Sequence, residues 1–284
     1  MKKFKTLFIA LMVLVTAAVA TTILVGCNKA KVVYYNIVQA EDEEYALGVA
    51  KTNTTLLAQI NEFLAKDGTM EFVTTSIAFH NTDLDSIDYS KAPIKASILN
   101  DNTGATITMV TEATFAPYEY VLSSGDSQVN GVAGSDVDLM IKFCEEYNYK
   151  LKVQQIDFDS IVPEVSTDTT GLKVAAAGMT VTPDRQEQIS FSTPYTTTVQ
   201  AIVSLESKSY KTLEELAGKT VAVQNGTTGH LMVKDYNSTA AEDKKITIKP
   251  FPAVTTALLE LKQEGVEALI IDSLVAKSLV AKGW

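Results

Sequence analysis

Arginine is almost missing from this chain. Among 284 residues, 24 are lysine or arginine, and Arg185 is the sole arginine. Cysteine is as scarce: Cys27 and Cys144 are too few to staple a small fold with disulfides. Two histidines, His80 and His230, lie too far apart in sequence to suggest a zinc site, so no metal ligands are assigned and no cofactor is expected. Positive charge is in deficit, with 34 acidic residues. That argues against nucleic acid as a partner, because phosphate binding needs the opposite sign. No segment repeats. What is present is an ordinary globular balance, 46% apolar and 20% charged, without disorder-prone bulk.

The first thirty residues stand apart. Lys2, Lys3 and Lys5 precede an apolar run from about Leu7 to Val25, broken only by Thr16, Thr21 and Thr22. A charged stretch before an apolar one reads as a signal peptide over residues 1–26. The run ends Leu24-Val25-Gly26-Cys27, which resembles the lipobox of bacterial lipoproteins, where the Cys thiol is diacylated and becomes the mature N-terminus. Lipidation is therefore expected at Cys27. An uncleaved transmembrane helix is the alternative. Either puts the folded part outside the cytoplasm, and lipidation makes it extracytoplasmic and anchored to the cell membrane. Removal of residues 1–26 leaves 21 basic against 34 acidic residues, a formal charge of −13. Cys144 then has no partner and falls in a helical apolar pattern, as a small core residue would.

Beyond the leader, strands alternate with helices. Val32–Val38 and Tyr45–Ala50 read as strands, Asn53–Lys66 as a capped amphipathic helix and Met70–His80 as another. Residues 81–104 are polar, hold Pro93 and Asn100-Asp101-Asn102-Thr103-Gly104, and read as a linker. Thr106–Thr111 alternates as a strand, Asp136 is placed to cap a helix through Cys144, and Leu151–Ile156 and Val174–Ala177 read as strands. Thr182-Pro183 has the form of an N-cap followed by proline at the first helical position. Strands at Val199–Ser204, Thr220–Val223, Ile246–Phe251 and Ala268–Ile271 follow, with helices over Val254–Gln263 and Ser273–Lys282. Such alternation predicts an α/β fold with mainly parallel sheets flanked by helices. Ligands in these folds sit at the carboxyl ends of strands, which singles out the loops after Thr111, Ala177, Val223 and Ile271.

Those loops carry four passages: Phe115-Ala116-Pro117-Tyr118-Glu119; Ala177-Gly178-Met179-Thr180-Val181-Thr182-Pro183-Asp184-Arg185; Val221-Ala222-Val223-Gln224-Asn225-Gly226-Thr227-Thr228-Gly229; and Ala268-Leu269-Ile270-Ile271-Asp272. Together, in this order, they resemble the polar-amino-acid-binding family of bacterial extracellular solute-binding proteins, components of ABC importers. The resemblance implies a two-lobed, periplasmic-binding-protein-like fold. It covers nearly all of the exported part, but in rotated order. Tyr45–Thr52, Asn61–Ala65 and Asp67-Gly68-Thr69 resemble the family's ending yet come first here, so one copy is expected in circularly permuted form. The rival is a damaged tandem gene, a leftover tail followed by a truncated copy. Permutation would make the larger lobe continuous over residues 47–200, with 81–104 joining the usual termini. The smaller lobe would be split between 27–46 and 201–284.

An amino acid presents a carboxylate, an ammonium and a side chain, each needing a partner out of water. Arg185 offers a planar fork for the carboxylate; the bland alternative is an exposed ion pair with Asp184 or Glu187. Thr228 and Gly229 lie between a strand and a helix, where free N–H groups favour an anion; the bland alternative is a plain helix cap. By resemblance Thr228 meets the same carboxylate from the other lobe, and Asp272 accepts from the ammonium unless it merely caps the following helix. Gly178 allows close approach and Thr180 supplies a donor. Phe115 and Phe158 would sandwich the ligand, or lie in the core. Glu112 and Gln224 fall where family members vary with specificity; Glu112 reads first as a solvated strand-end charge and second as a partner for a cationic side chain. Lys173 departs from the acidic residue usual before the Ala177-Gly178-Met179-Thr180 strand.

The expected function follows: a monomeric binding protein, not an enzyme, that holds an amino acid, polar or cationic, in the cleft and delivers it to the permease subunits of an ABC-type importer. Two alternatives stand beside it. One is a cleft enzyme of the same fold resembling cyclohexadienyl dehydratase, for which Glu112 is the obvious acid or base. The other is a sensory binding module without a transporter.

Overall fold

The computed structural model describes residues 31–37, 42–82, 86–122 and 128–281. The leader, Cys27 and the chain's last residues lie outside these. Among the described residues no helix is long and apolar enough to cross a membrane.

The chain opens with β1 (Val32–Asn36), then β2 (Glu43–Tyr45) and β3 (Gly48–Ala50). Helix α1 (Thr54–Leu64) begins at Asn53, whose side chain accepts the Leu56 N–H, and it buries Leu56, Ile60, Phe63 and Leu64 on one face. Helix α2 (Thr69–His80) follows. The polar stretch beyond it carries two 3₁₀ turns, Tyr89–Lys91 and Ala96–Asp101. Strand β4 (Thr106–Thr111) matches its sequence pattern residue for residue. Three short strands come next, β5 (Thr114–Phe115), β6 (Glu119–Val121) and β7 (Val132–Ala133). Then come α3 (Ser135–Glu146), β8 (Lys150–Gln155), α4 (Phe158–Ser166) and β9 (Lys173–Ala175). Thr182 caps α5 (Pro183–Gln186) with Pro183 in its first turn, ahead of β10 (Ile189–Phe191) and β11 (Thr196–Thr198). The rest is β12 (Gln200–Leu205), β13 (Thr220–Gln224), α6 (Thr228–Thr239), β14 (Thr247–Phe251), α7 (Val254–Lys262), β15 (Ala268–Asp272) and α8 (Ser273–Ala281).

Two five-stranded sheets organise these elements, ordered β10-β3-β9-β4-β8 and β1-β12-β15-β13-β14. We call the half built on the first the larger lobe and the half built on the second the smaller. In each, two parallel pairings (β4 with β8 and β9; β13 with β14 and β15) meet two antiparallel ones. The antiparallel partners are strands on either side of the lobe crossings. Among the described residues the chain passes between the lobes twice, and the two passages pair with each other as β2 and β11. That ribbon joins the two lobes.

Strands from the amino-terminal segment are integral to both sheets. Strand β1 pairs along its length with β12, and β3 lies between β10 and β9. A Cβ on Gly48 of β3 would come within 2.6 Å of Ile189 Cδ1, so the sequence spares a side chain where β3 fits between its neighbours. The pattern that reads as one strand over Tyr45–Ala50 is two, β2 and β3, because Ala46 and Leu47 carry the chain from the connecting ribbon to the sheet. Apolar alternation cannot register such a change of partner.

Asp136 does not cap α3. Gly134 holds that position, and Asp136 Oδ2 instead accepts the Gly178 N–H at 2.9 Å and the Tyr195 hydroxyl at 2.8 Å. Burial lifts its pKa to about 6. Cys144 is a buried free thiol, the small core residue its pattern suggests. Lys173 opens β9 and pairs with Glu164 at 2.6 Å on the same lobe.

Candidate functional site

The loops after β4, β9, β13 and β15 converge between the lobes. Seven expected contacts line one cavity there: Arg185, Asp272, Thr228, Thr180, Gly178, Phe115 and Phe158. As it stands the space is only about 10 Å³, room for one water at most.

Arg185 is set by its short helix. Its guanidinium donates to the Thr180 carbonyl at 2.7 Å and, across the cleft, to the Gly226 carbonyl at 3.1 Å. It also lies 5.2 Å from the centre of the Phe158 ring, within cation–π range. Only 7% of the residue is exposed, which removes the exposed-ion-pair reading. Burial lowers its pKa to about 10, opposed by the Glu43 charge, so it stays cationic at neutral pH.

Asp272 is both cap and cavity residue. Oδ1 accepts the Val275 N–H at 2.8 Å at the start of α8, while Oδ2 accepts the Tyr45 hydroxyl at 2.9 Å and the Thr198 hydroxyl. Burial raises its carboxyl to about 6 against those hydrogen bonds. It is a poorly solvated anion facing the cavity, suited to a cation.

Thr228 is not the helix cap. Thr227 caps α6 by accepting the His230 N–H, which leaves the Thr228 hydroxyl free to point elsewhere. It donates to Glu43 Oε2 at 2.7 Å, and Thr180 Oγ1 of the other lobe donates to the same oxygen at 2.7 Å. Gly229 sits behind the cavity: a Cβ there would approach Gln200 Oε1 to 2.7 Å. That oxygen is buried and unpartnered, an acceptor turned toward the site. Gly178 has φ +49°, and a Cβ would lie 2.9 Å from the Phe115 ring; glycine lets the turn and the ring coexist.

Glu112 and Gln224 do not line this cavity but pair beside it. Gln224 donates to Glu112 Oε2 at 2.8 Å and Thr114 donates to the same atom at 2.9 Å. The solvated-charge reading of Glu112 is corrected: the residue is 8% exposed, and desolvation raises its pKa.

Sequence reasoning missed Glu43, Tyr45, Thr198 and Gln200. The first three belong to the connecting ribbon and reach the site across separations as long as 227 residues. Tyr45 had a signal, its place in an apolar strand. Glu43 had none.

A second groove, about 270 Å³, lies between the β5–β6 hairpin and α7 and α8. Its lining is mostly apolar and contains no carboxylate, so it lacks the opposed charges found in the cleft.

Comparisons with known proteins bear on the family and the fold. The profile of the bacterial extracellular solute-binding proteins, family 3, matches residues 107–279. The arginine-binding extracellular protein ArtP of Bacillus subtilis is 30% identical over 173 residues, 60% of this chain and 62% of that protein. The ABC transporter arginine-binding protein 1 of Escherichia coli is 28% identical over 163 residues, 57% of this chain and 61% of its own length. The match thus spans less than two thirds of these two relatives. Among solved structures, holo ArgBP from T. maritima is 33% identical, with a TM-score of 0.56 over 66% of this chain and 77% of that one. The chain belongs to the bacterial extracellular solute-binding proteins, family 3.

Proposed function

We propose that the protein captures an α-amino acid with a cationic side chain between its lobes and presents it to the permease subunits of an ABC importer. The carrying observation is the convergence of a buried guanidinium, two hydroxyls from opposite lobes and a buried carboxylate on one cavity. Arg185 with Thr180 and Thr228 would take the ligand carboxylate, through charge-assisted bonds. Asp272 and the unpartnered Gln200 Oε1 would take the ammonium. Phe115 and Phe158 would flank the aliphatic part.

Glu112 supports the cationic preference. A desolvated carboxylate gains from a positive partner, and two of the relatives above are named for arginine. Closure is a hinge motion about the β2–β11 ribbon, with ligand bonds to both lobes favouring the closed state. The test is a thermal-shift screen of the common L-amino acids, since a ligand of the native state raises the melting temperature. Arginine, lysine or histidine should stand out. No response to any amino acid, or turnover of prephenate or arogenate, overturns the reading in favour of another ligand or an enzyme.

The rotated order is read as a functional permutation. The family profile begins at residue 107, yet residues 32–50 supply strands to both sheets and the hinge. A chain reordered to run from residue 105 to 281 and then from 31 to 80 should fold and bind alike; one that aggregates contradicts the permutation. Cys27 is read as the lipid anchor of a monomeric, membrane-tethered protein, and Cys27→Ala should release it from the membrane fraction.

A further inference from the structure

We propose that Glu43 is a built-in competitor for the ligand: its carboxylate takes the hydroxyls assigned to the ligand α-carboxylate, holds the lobes together and must be displaced before an amino acid binds. The proposal rests on the amino-acid reading above and adds a residue that sets affinity and ligand class.

Glu43 lies on the hinge, opposite Thr198 in the β2–β11 register. One of its oxygens accepts hydroxyls from Thr180 and Thr228, each at 2.7 Å, so a single side chain bridges the larger and the smaller lobe. These are the hydroxyls assigned to the ligand carboxylate. Two residues on, along the same face of the strand, the Tyr45 hydroxyl donates to Asp272 at 2.9 Å. Asp272 is the group assigned to the ligand ammonium. One short strand therefore presents an acceptor and a donor to the partners of an amino acid's two charged ends.

The cavity beside these hydroxyls leaves no room for an amino acid in the present arrangement. A cavity of about 10 Å³ is far below the roughly 300 Å³ at which ligand sites begin. An exit exists as well. An open groove of about 770 Å³ is lined by Glu43, Thr180, Thr228, Asp42 and Asp184. A rotation of the Glu43 side chain could carry its carboxylate from the hydroxyls into that groove.

The energetic consequence is a reduced apparent affinity. If the latched state dominates, the observed Kd is the intrinsic one divided by the unlatched fraction. A ligand without a carboxylate also needs the latch open, but it cannot bond to the hydroxyls that Glu43 releases.

The experiment compares the detergent-solubilised full chain with Glu43→Ala and Glu43→Gln, titrated with L-arginine and with agmatine, its decarboxylated form. Glu43→Ala should tighten arginine binding at least ~5-fold, which corresponds to a latch closed about four fifths of the time. Agmatine, which cannot use the freed hydroxyls, should stay weaker than arginine in every variant, and Glu43→Gln should fall between. Unchanged or weaker arginine binding in a folded Glu43→Ala overturns the proposal, weaker binding meaning that Glu43 holds the ligand itself. Small-angle scattering of the ligand-free proteins gives a readout that needs no ligand. Wild type should be compact and Glu43→Ala expanded; equal radii of gyration overturn the latch. Failure of all variants to bind any amino acid sinks the amino-acid reading, while the scattering still decides the latch.

Discussion

Asp272→Asn should stabilise the empty protein and destroy its binding. Asp272 is 1% exposed, and burial moves its carboxyl from 3.8 to about 6. At pH 7 the folded protein thus carries an anion it would rather protonate, a cost of about 3 kcal/mol at 1.36 kcal/mol per pH unit. Asparagine keeps the shape and the cap on the Val275 N–H, since it caps as well as aspartate. It removes the charge, at the loss of hydrogen bonds from Tyr45 and Thr198 to an ionised acceptor. That cost is already net of the bonds to the ionised acceptor, and about 1–2 kcal/mol of gain remains once an amide NH2 has to face the Tyr45 and Thr198 hydroxyls. For a chain of this size that raises Tm by roughly 2–8 °C. Differential scanning calorimetry at pH 7 reads the first effect. Titration with L-arginine reads the second: loss of a buried ammonium–carboxylate contact should weaken binding by at least ~100-fold, about 3 kcal/mol. A variant that melts lower and binds normally would refute both the buried-charge argument and the ammonium assignment.

Three further outcomes follow from the same groups. Asp272 and Asp136 both sit at about 6 in the folded protein against 3.8 unfolded, so the native state binds more protons between those values. Stability of the empty protein from these two groups should fall as pH rises from about 4 to about 6 and level off above, checked by Tm across that range. A flat or rising contribution, isolated by comparison with Asp272→Asn, would contradict it. Arginine affinity should move the other way, weakening roughly tenfold between pH 7 and 5 as Asp272 protonates; a pH-independent Kd would remove Asp272 from the ammonium site. Glu112→Gln should cut the preference for arginine over glutamine by roughly tenfold, about 1.4 kcal/mol, with Tm unchanged or higher because a desolvated charge is gone. Unaltered selectivity would leave Glu112 a structural partner of Gln224.

The sequence was most informative where a single local pattern decides the outcome. Thr106–Thr111 alternates and is a strand, Asn53 and Thr182-Pro183 start helices, and each loop after a strand end carries site residues. Where two distant segments decide jointly, it was silent. Glu43 meets Thr180 and Thr228 across 137 and 185 residues, and nothing in a Glu-Glu-Tyr tripeptide announces that. Glu112 misled for a related reason: a charge after a strand is normally solvated, but here Gln224 and Thr114 replace the water. Asp136 looked like a cap because it is one residue inside the helix start, and Gly134 with its backbone in the positive-φ region holds the cap instead.

The central claim, that this cleft holds an α-amino acid by its carboxylate through Arg185, is tested most directly by isothermal titration of L-arginine into wild type and Arg185→Ala, both verified as folded by circular dichroism. The account predicts one site in wild type and at least a ~100-fold weaker Kd in the variant, the loss of two charge-assisted bonds at about 1.5–3 kcal/mol each. Equal affinity in the two proteins would contradict it.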